Sequence, residues 1–559
     1  MGHVRALARW VKLSGTAEER ESFDYLQAEM DRLGYRTRLI EHPAYIGLPG
    51  KARVEIDGRA LGCITHSLAR SSPPEGVSGE LVDLGRGGKA AFAGRDLRGR
   101  IALIEGLARP EDAKACTDAG ALGQIHISPD HQLHEMCVSP VWGSPSWQSR
   151  GRLPGTVVVT ISRQDGLALR ECLARGERPK AVLHAEVDTG WRTIPILEAE
   201  LSPRGAAKDA PFVMFSGHVD TWYCGAMDNG TANATMLEIA RIAALERGAW
   251  RRGLRLCFWS GHSHGRYAGS AWYADARWHE LEARCLAHVN IDSTGGKGAS
   301  VLTNSGSAAE LRDLAAEVIE RHTGQIYGGR RIARQADESF WGIGLPAMFG
   351  SLSHQPPPAD KSQAHMHLGW WWHTPEDTVD KIDPANLLRD AKVFADVIWR
   401  LLADAVPPIR PVPLADDLVK ELGKLSALEG RFELSGLRDS AASLLAKAKR
   451  VEAAASAAKP STAARLTDGL MRFSRALVPM DSTAGDRFDH DPALPQPVWP
   501  VLQPLRDLTA TPPGTEDWHF REVGAMRARN RMLHALGQAH AALDLALPAP
   551  RKKSKKKKR

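Results

Sequence analysis

Residues 258–270 read FWSGHSHGRYAGS, an apolar strand that runs straight into two histidines one residue apart, His262 and His264. Two further apolar runs end in residues of the same chemical kind. APFVMFSG leads to His218-Val219-Asp220, and CLAHVNI leads to Asp292. In an open α/β sheet the carboxyl ends of the strands converge on one crevice, so imidazole and carboxylate at three strand ends suit a metal centre there. A fourth donor, Asp228, sits in GAMDNG, where Gly225 and Gly230 allow a tight turn ahead of the helix-forming run TANATMLEIAR; a fifth, His373, sits in WWWHTPEDT. Taken singly these are weak signals, since DNG is an ordinary turn and a histidine beside three tryptophans packs as readily as it ligates. Their occurrence in this order around one sheet is what points to metal. Imidazole and carboxylate suit zinc, manganese or cobalt, and a carboxylate can bridge two such ions about 3.5–4 Å apart. The chemistry of such a centre is hydrolytic, because the ions polarise a carbonyl and make a nucleophile of water.

Donors at strand ends need a sheet to carry them. From about 191 to 407 apolar strands alternate with amphipathic helices, which predicts an α/β domain on a mostly parallel, mixed sheet flanked by helices. Residues 1–45, a helix ending at Leu33-Gly34-Tyr35 and then a strand, belong with it. Between 46 and 190 short strands punctuated by glycine predict a β-rich insertion. Residues 408–550 are helical, rich in Ala and Leu, and interrupted by the proline-rich DHDPALPQPVWP. Residues 551–559, RKKSKKKKR, are a basic tail expected to be disordered.

At 559 residues the chain is too long for one core. Its formal charge of +7 comes from that tail, which carries eight positive side chains and leaves the body near neutral. A nucleic-acid enzyme would carry its basic stripe on the folded domains, so the partner expected is a small peptide or amide substrate. Seven cysteines with no CxxC pair fit reduced thiols, hence a cytoplasmic protein without a disulfide framework. No stretch reaches the 18 apolar residues of a membrane span.

The strings GHVDTWYCGAMDNGTANATMLEIAR, NIDSTG, ADESFWGIGLP and HTPEDTVDKI together resemble the co-catalytic zinc exopeptidases, a family that includes bacterial aminopeptidases, glutamate carboxypeptidase and, as a non-enzymatic relative, transferrin receptor. The resemblance implies a zinc aminopeptidase-like fold. Residues 46–190 stand where larger members insert a protease-associated domain, and 408–550 where they carry a helical dimerisation domain, implying a homodimer. It also implies one metal held by His218, Asp228 and Asp292, with Asp228 bridging to a second metal that His373 binds. Asp220 would then orient His218 from behind, Asp377 would act near His373, and Asp337 matches an acidic position beside the pocket.

One part of the pattern is missing. The family runs from this strand into two consecutive glutamates, a general base and a ligand to the second metal. Anchoring on Trp259 and Gly265 puts His262 and Ser263 there, whereas anchoring on Gly269-Ser270 puts Ser263 and His264. Serine is a poor ligand and no base, so imidazole must do the work. On an extended segment His262 and His264 point to the same side. The expectation is His264 on the second metal and His262 as base, with the exchange of roles and a single-metal centre as alternatives. Glu338 is a further candidate base. His354, His365 and His367 are expected in a loop walling the pocket, with Trp370, Trp371 and Trp372 as flat apolar surface. The function expected is metal-dependent hydrolysis of an amide bond in a small peptide or N-acyl compound. A non-catalytic scaffold on the same fold is the alternative.

Overall fold

The computed structural model describes residues 1–332, 334, 336–360 and 365–547; the basic tail lies outside them. Among these residues twelve strands form one sheet. Its site-bearing half runs Ala347–Ser351, Cys285–Asp292, Phe212–His218 and Gly253–Trp259, each parallel to its neighbour, and then antiparallel Lys180–Leu201. Every residue of Phe212–His218 and of Gly253–Trp259 is buried, which is why these strands read as continuous apolar runs. From Phe212–His218 the chain builds the neighbour on one side, Gly253–Trp259, and then crosses to build Cys285–Asp292 on the other. The carboxyl ends of the three open a crevice at that reversal, which is the position the sequence predicts for the ligands.

Helices cover the faces. Ala17–Arg32 starts where the Thr16 hydroxyl accepts the Glu19 N–H and packs Phe23, Leu26 and Met30 into the sheet core. Pro384–Ala403 starts where Asp383 accepts the N–H groups of Ala385 and Asn386, and it buries Val393, Phe394, Val397, Ile398 and Leu401 against the same core.

The expected boundary at residue 45 falls inside a strand. Arg36–Ile56 pairs with Lys180–Leu201 over almost its whole length, so the insertion is joined by a two-stranded ribbon rather than by linkers. Its own strands, 77–83, 100–105, 123–127 and 157–161, continue the sheet and carry the helices Pro110–Asp118 and Arg163–Ala174, so it is more mixed than the glycine-rich texture suggested. Pro411–Gly423, Ser435–Ser456, Pro460–Ser482 and Glu516–Ala546 share a second core of Leu, Ala and Met that reaches Trp341 and Ala347 of the α/β part. Among the described residues no helix is long and apolar enough to cross a membrane.

Of the histidines buried inside the insertion, His66 lies against the Thr160 hydroxyl at 2.7 Å and His126 against Gln124 at 2.9 Å. Burial disfavours their charged forms, holding His66 well below the usual imidazole value and His126 at about 4. Such a group takes up its proton in the unfolded chain first. Its contribution is therefore complete above the unfolded pKa of about 6.5 and is lost as pH falls from there toward 4. Thermal melts should show His126→Gln losing less stability than the parent between pH 7 and pH 4, by up to about 3 kcal/mol; equal losses would remove His126 as a cause.

Candidate metal centre

His218 is the last residue of its strand, and its ring is fixed by a hydrogen bond from Nδ1 to the backbone carbonyl of Asp220, 2.9 Å away. Nε2 then faces the crevice, 3.1 Å from Asp228 Oδ1 and 3.5 Å from Asp292 Oδ1. The other oxygen of Asp228 lies 3.0 Å from Nε2 of His373. One carboxylate thus stands between two imidazoles, an oxygen to each.

The fit to a cation can be tested on these distances. Two ligands each about 2.0–2.1 Å from a tetrahedral ion stand about 3.3 Å apart, close to the separations seen. His218 Nε2 and Asp228 Oδ1 are buried with no hydrogen bond satisfying either. Burial alone would push His218 down and Asp228 up; instead the Asp292 and Asp228 carboxylates hold His218 well above the usual range, and His218 and His373 hold Asp228 well below it. A cluster that favours positive charge in this way fits a cation.

Several segments hold Asp228. The carboxylate of Asp377 accepts the N–H groups of Met227 and Asp228, both at 2.9 Å, so it positions the Asp228 loop rather than the His373 ring. Asn229 Oδ1 accepts the Ser293 N–H, tying the loop to the end of the Asp292 strand. Lys12, fully buried, donates from Nζ to the carbonyls of Leu7, Trp10 and Cys224, each at 3.0 Å, and burial pushes it down to about 8. His373 is held from the insertion. Its Nδ1 donates to the Glu135 carbonyl at 2.6 Å, the Glu135 N–H returns a bond to His373, and His134 Nδ1 bonds the Trp372 carbonyl.

The two histidines of FWSGHSHGRYAGS part company. Residues 260–267 form a tight turn, with positive φ at Gly261, Arg266 and Tyr267 and a bond from Ala268 N–H to the Gly261 carbonyl, so the alternation of an extended segment does not apply. His262 and Ser263 line the cavity. His264 does not; it is fully buried behind it, with Nδ1 accepting the Ser14 N–H at 3.3 Å and lying 3.6 Å from Asp220 Oδ2. The Asp220 carboxylate itself is 3.9 Å from His218 Nδ1 and instead accepts the N–H groups of His262 and Ser263 and the hydroxyl of Ser14. It orients the turn, and only its backbone orients His218.

His262 stacks on His218, with ring centroids 3.8 Å apart and planes 12° from parallel. Nitrogen atoms of His218 and His262 and an oxygen of Asp292 lie within 4.8 Å of one another. Stacked in this way, His262 would serve a metal held by His218 and Asp292 either as a base beside it or as a further ligand. Nδ1 of His262 meets Asp337 Oδ2 at 2.9 Å, and Asp337 Oδ1 accepts the Ser270 hydroxyl at 2.8 Å. Glu338, the other candidate base, faces away, buried against His288 Nδ1 at 3.3 Å and absent from the cavity lining. His354 and His367 form a pair at 5.3 Å, and His367, Leu368 and Trp372 wall the cavity, whose volume is about 230 Å³.

Residues 199–398 match the model of peptidase family M28. Aminopeptidase YwaD of Bacillus subtilis is 24% identical over 413 residues, 71% of this chain and 82% of that protein. Probable glutamate carboxypeptidase VP8 of Zea mays is 25% identical over 244 residues, 40% of this chain and 33% of that protein, so the chain spans a third of the maize relative. Among solved structures, a zinc aminopeptidase from Bacillus subtilis superposes with a TM-score of 0.54 at 20% identity, covering 72% of this chain and 94% of that one. An aminopeptidase from Aneurinibacillus sp. strain AM-1 gives 0.53 at 22% identity, over 72% and 92%.

Elemental analysis checks the donor set: His218→Ala and Asp228→Asn should each lower bound divalent metal at least tenfold in retained occupancy after dialysis, whereas Glu338→Gln should retain it. Unchanged metal in Asp228→Asn would exclude the shared carboxylate as a ligand.

Proposed function

We propose, on the premise that the chain belongs to peptidase family M28 through its residues 199–398, that it hydrolyses an amide bond of a small peptide or N-acyl compound at this centre. The observation that carries the reading is the Asp228 carboxylate with one oxygen toward His218 and the other toward His373. His218, Asp228 and Asp292 would hold one divalent metal, and Asp228 with His373 a second and poorer position, since His264 is turned away. Bound there, zinc, or manganese or cobalt in its place, supplies Lewis acidity and water that ionises near neutral pH.

The protein's own part falls to His262. With Nδ1 fixed on Asp337, its Nε2 is free to take a proton from the attacking water and hand it to the leaving nitrogen as the C–N bond breaks. Asp337 holds the tautomer that this requires. The family's glutamate base is replaced by an imidazole whose carboxylate partner stands one group further back. Trp222, Leu368 and Trp372 give the cavity an apolar side that suits an apolar or aromatic acyl portion.

Steady-state kinetics with and without a chelator test the whole reading. Hydrolysis that stops on chelation and returns with zinc supports it, and a metal-loaded protein inert toward peptides and N-acyl amino acids would favour the scaffold. His262→Ala is expected to keep its metal and lose about 10²–10⁴ in kcat, while His264→Ala should chiefly lower thermal stability. Loss of metal rather than rate in His262→Ala would make it a ligand.

A homodimer would use the outer face of Glu516–Ala546, where Phe520, Val523 and Met526 are exposed at three-residue spacing. Sedimentation of Phe520→Glu at concentrations where the parent is dimeric should give the monomer mass; an unshifted mass would place the contact elsewhere.

A further inference from the structure

Four residues beyond His262 the same turn carries a second side chain into the cavity. Arg266 lines it together with His262, Tyr267 and Asp292, and it also lines a neighbouring cavity of about 330 Å³. Its guanidinium has no hydrogen bond or ion pair among the described residues; Nε is buried without a partner, and the Tyr267 ring lies 4.9 Å from Cζ. The two other arginines of the neighbouring cavity behave differently. Arg331 is paired with Asp481, and Arg334 lies 3.8 Å from the Asp491 carboxylate and bonds its backbone carbonyl. Glu111 lines that cavity too, but no ion pair joins it to Arg266.

The charge inventory of the metal cavity is short. Among its lining residues the acidic ones are Asp228 and Asp292, and both are committed to the metal cluster. Asp337 lies behind His262 with its two oxygens taken by His262 and Ser270. Among the described residues no lining carboxylate is therefore spare for the ammonium group of a peptide, while one guanidinium is spare for an anion. A half-buried guanidinium with an unsatisfied N–H is costly to leave unpaired, and its planar fork matches a carboxylate.

Resting on the hydrolase reading above, we propose that Arg266 binds the carboxylate of the leaving amino acid, so that the substrates are those with a free carboxylate next to the scissile amide: dipeptides, peptide C-termini or N-acyl amino acids. Position agrees with this. His262 delivers the proton to the leaving nitrogen, and Arg266 stands in the same turn, so the group that departs is the one whose carboxylate it can reach.

The test compares Leu-Phe with leucine phenethylamide, which lacks only the carboxylate, in the parent, Arg266→Gln and Arg266→Lys. For Leu-Phe, Arg266→Gln should lower kcat/KM at least tenfold, mainly through KM, with Arg266→Lys in between. For the phenethylamide the three proteins should agree within about twofold, and metal content should be equal in all. Equal losses on both substrates, or none on Leu-Phe, would overturn the assignment. If the parent cleaves neither compound, the hydrolase reading fails on its own, and calorimetry still decides the subsite: N-acetylphenylalanine should bind the parent at least tenfold more tightly than Arg266→Gln does, and equal affinity overturns it.

Discussion

A single buried carboxylate governs this molecule. Asp228 stands between two imidazoles, itself buried at the floor of the crevice, where an isolated charge is expensive and a shared one is stable only if its neighbours cannot move. Most of the surrounding architecture is intelligible as the means of keeping it still. Asp377 grips the two amides at the turn, Asn229 ties that turn to the neighbouring strand end, and Lys12 caps three carbonyls beneath it. Segments more than 200 residues apart in the chain thus meet behind a few donor atoms. Rigidity here lets a cation bind without a large cost of ordering its ligands.

Where the family it resembles carries two acids, this chain has imidazole and serine, which alters the charge that faces the crevice. A glutamate beside the metals would bring its own negative charge to the reacting atoms. Here the charge sits on Asp337, one ring away, and is passed through His262 as a hydrogen bond. Ser263 adds no charge at all. The cavity is accordingly less negative than its strand ends alone would make it, and the spare cation at Arg266 moves it further in the same direction.

What could be read in the sequence followed from topology. His218 and Asp292 terminate buried parallel strands, so the sheet delivers both to one crevice, and the glycine-flanked turn ahead of the next helix brings Asp228 to them. The assignment of His262 and His264 required more, because spacing by two implies a common side only on extended backbone and this stretch turns instead. Glu338 reads as an acidic loop residue next to Asp337, but the turn that carries both sends it down against His288 while its neighbour reaches His262. Ser14 and Glu135 were illegible. Nothing local marks them, and each acts through a contact more than 200 residues away in the chain. The insertion boundary was missed for a related reason: a strand of 21 residues crosses it without any change of composition at the join.

The bond from His373 to the Glu135 carbonyl has a consequence for how freely this chain can be rearranged. The proton on that ring is placed by an amide group belonging to the insertion, across the ribbon that joins the two parts. The inserted lobe is therefore no detachable accessory. Excising it, or grafting another in its stead, would strip one imidazole of the acceptor that fixes its tautomer, and any replacement would have to present a backbone oxygen at the same point in space.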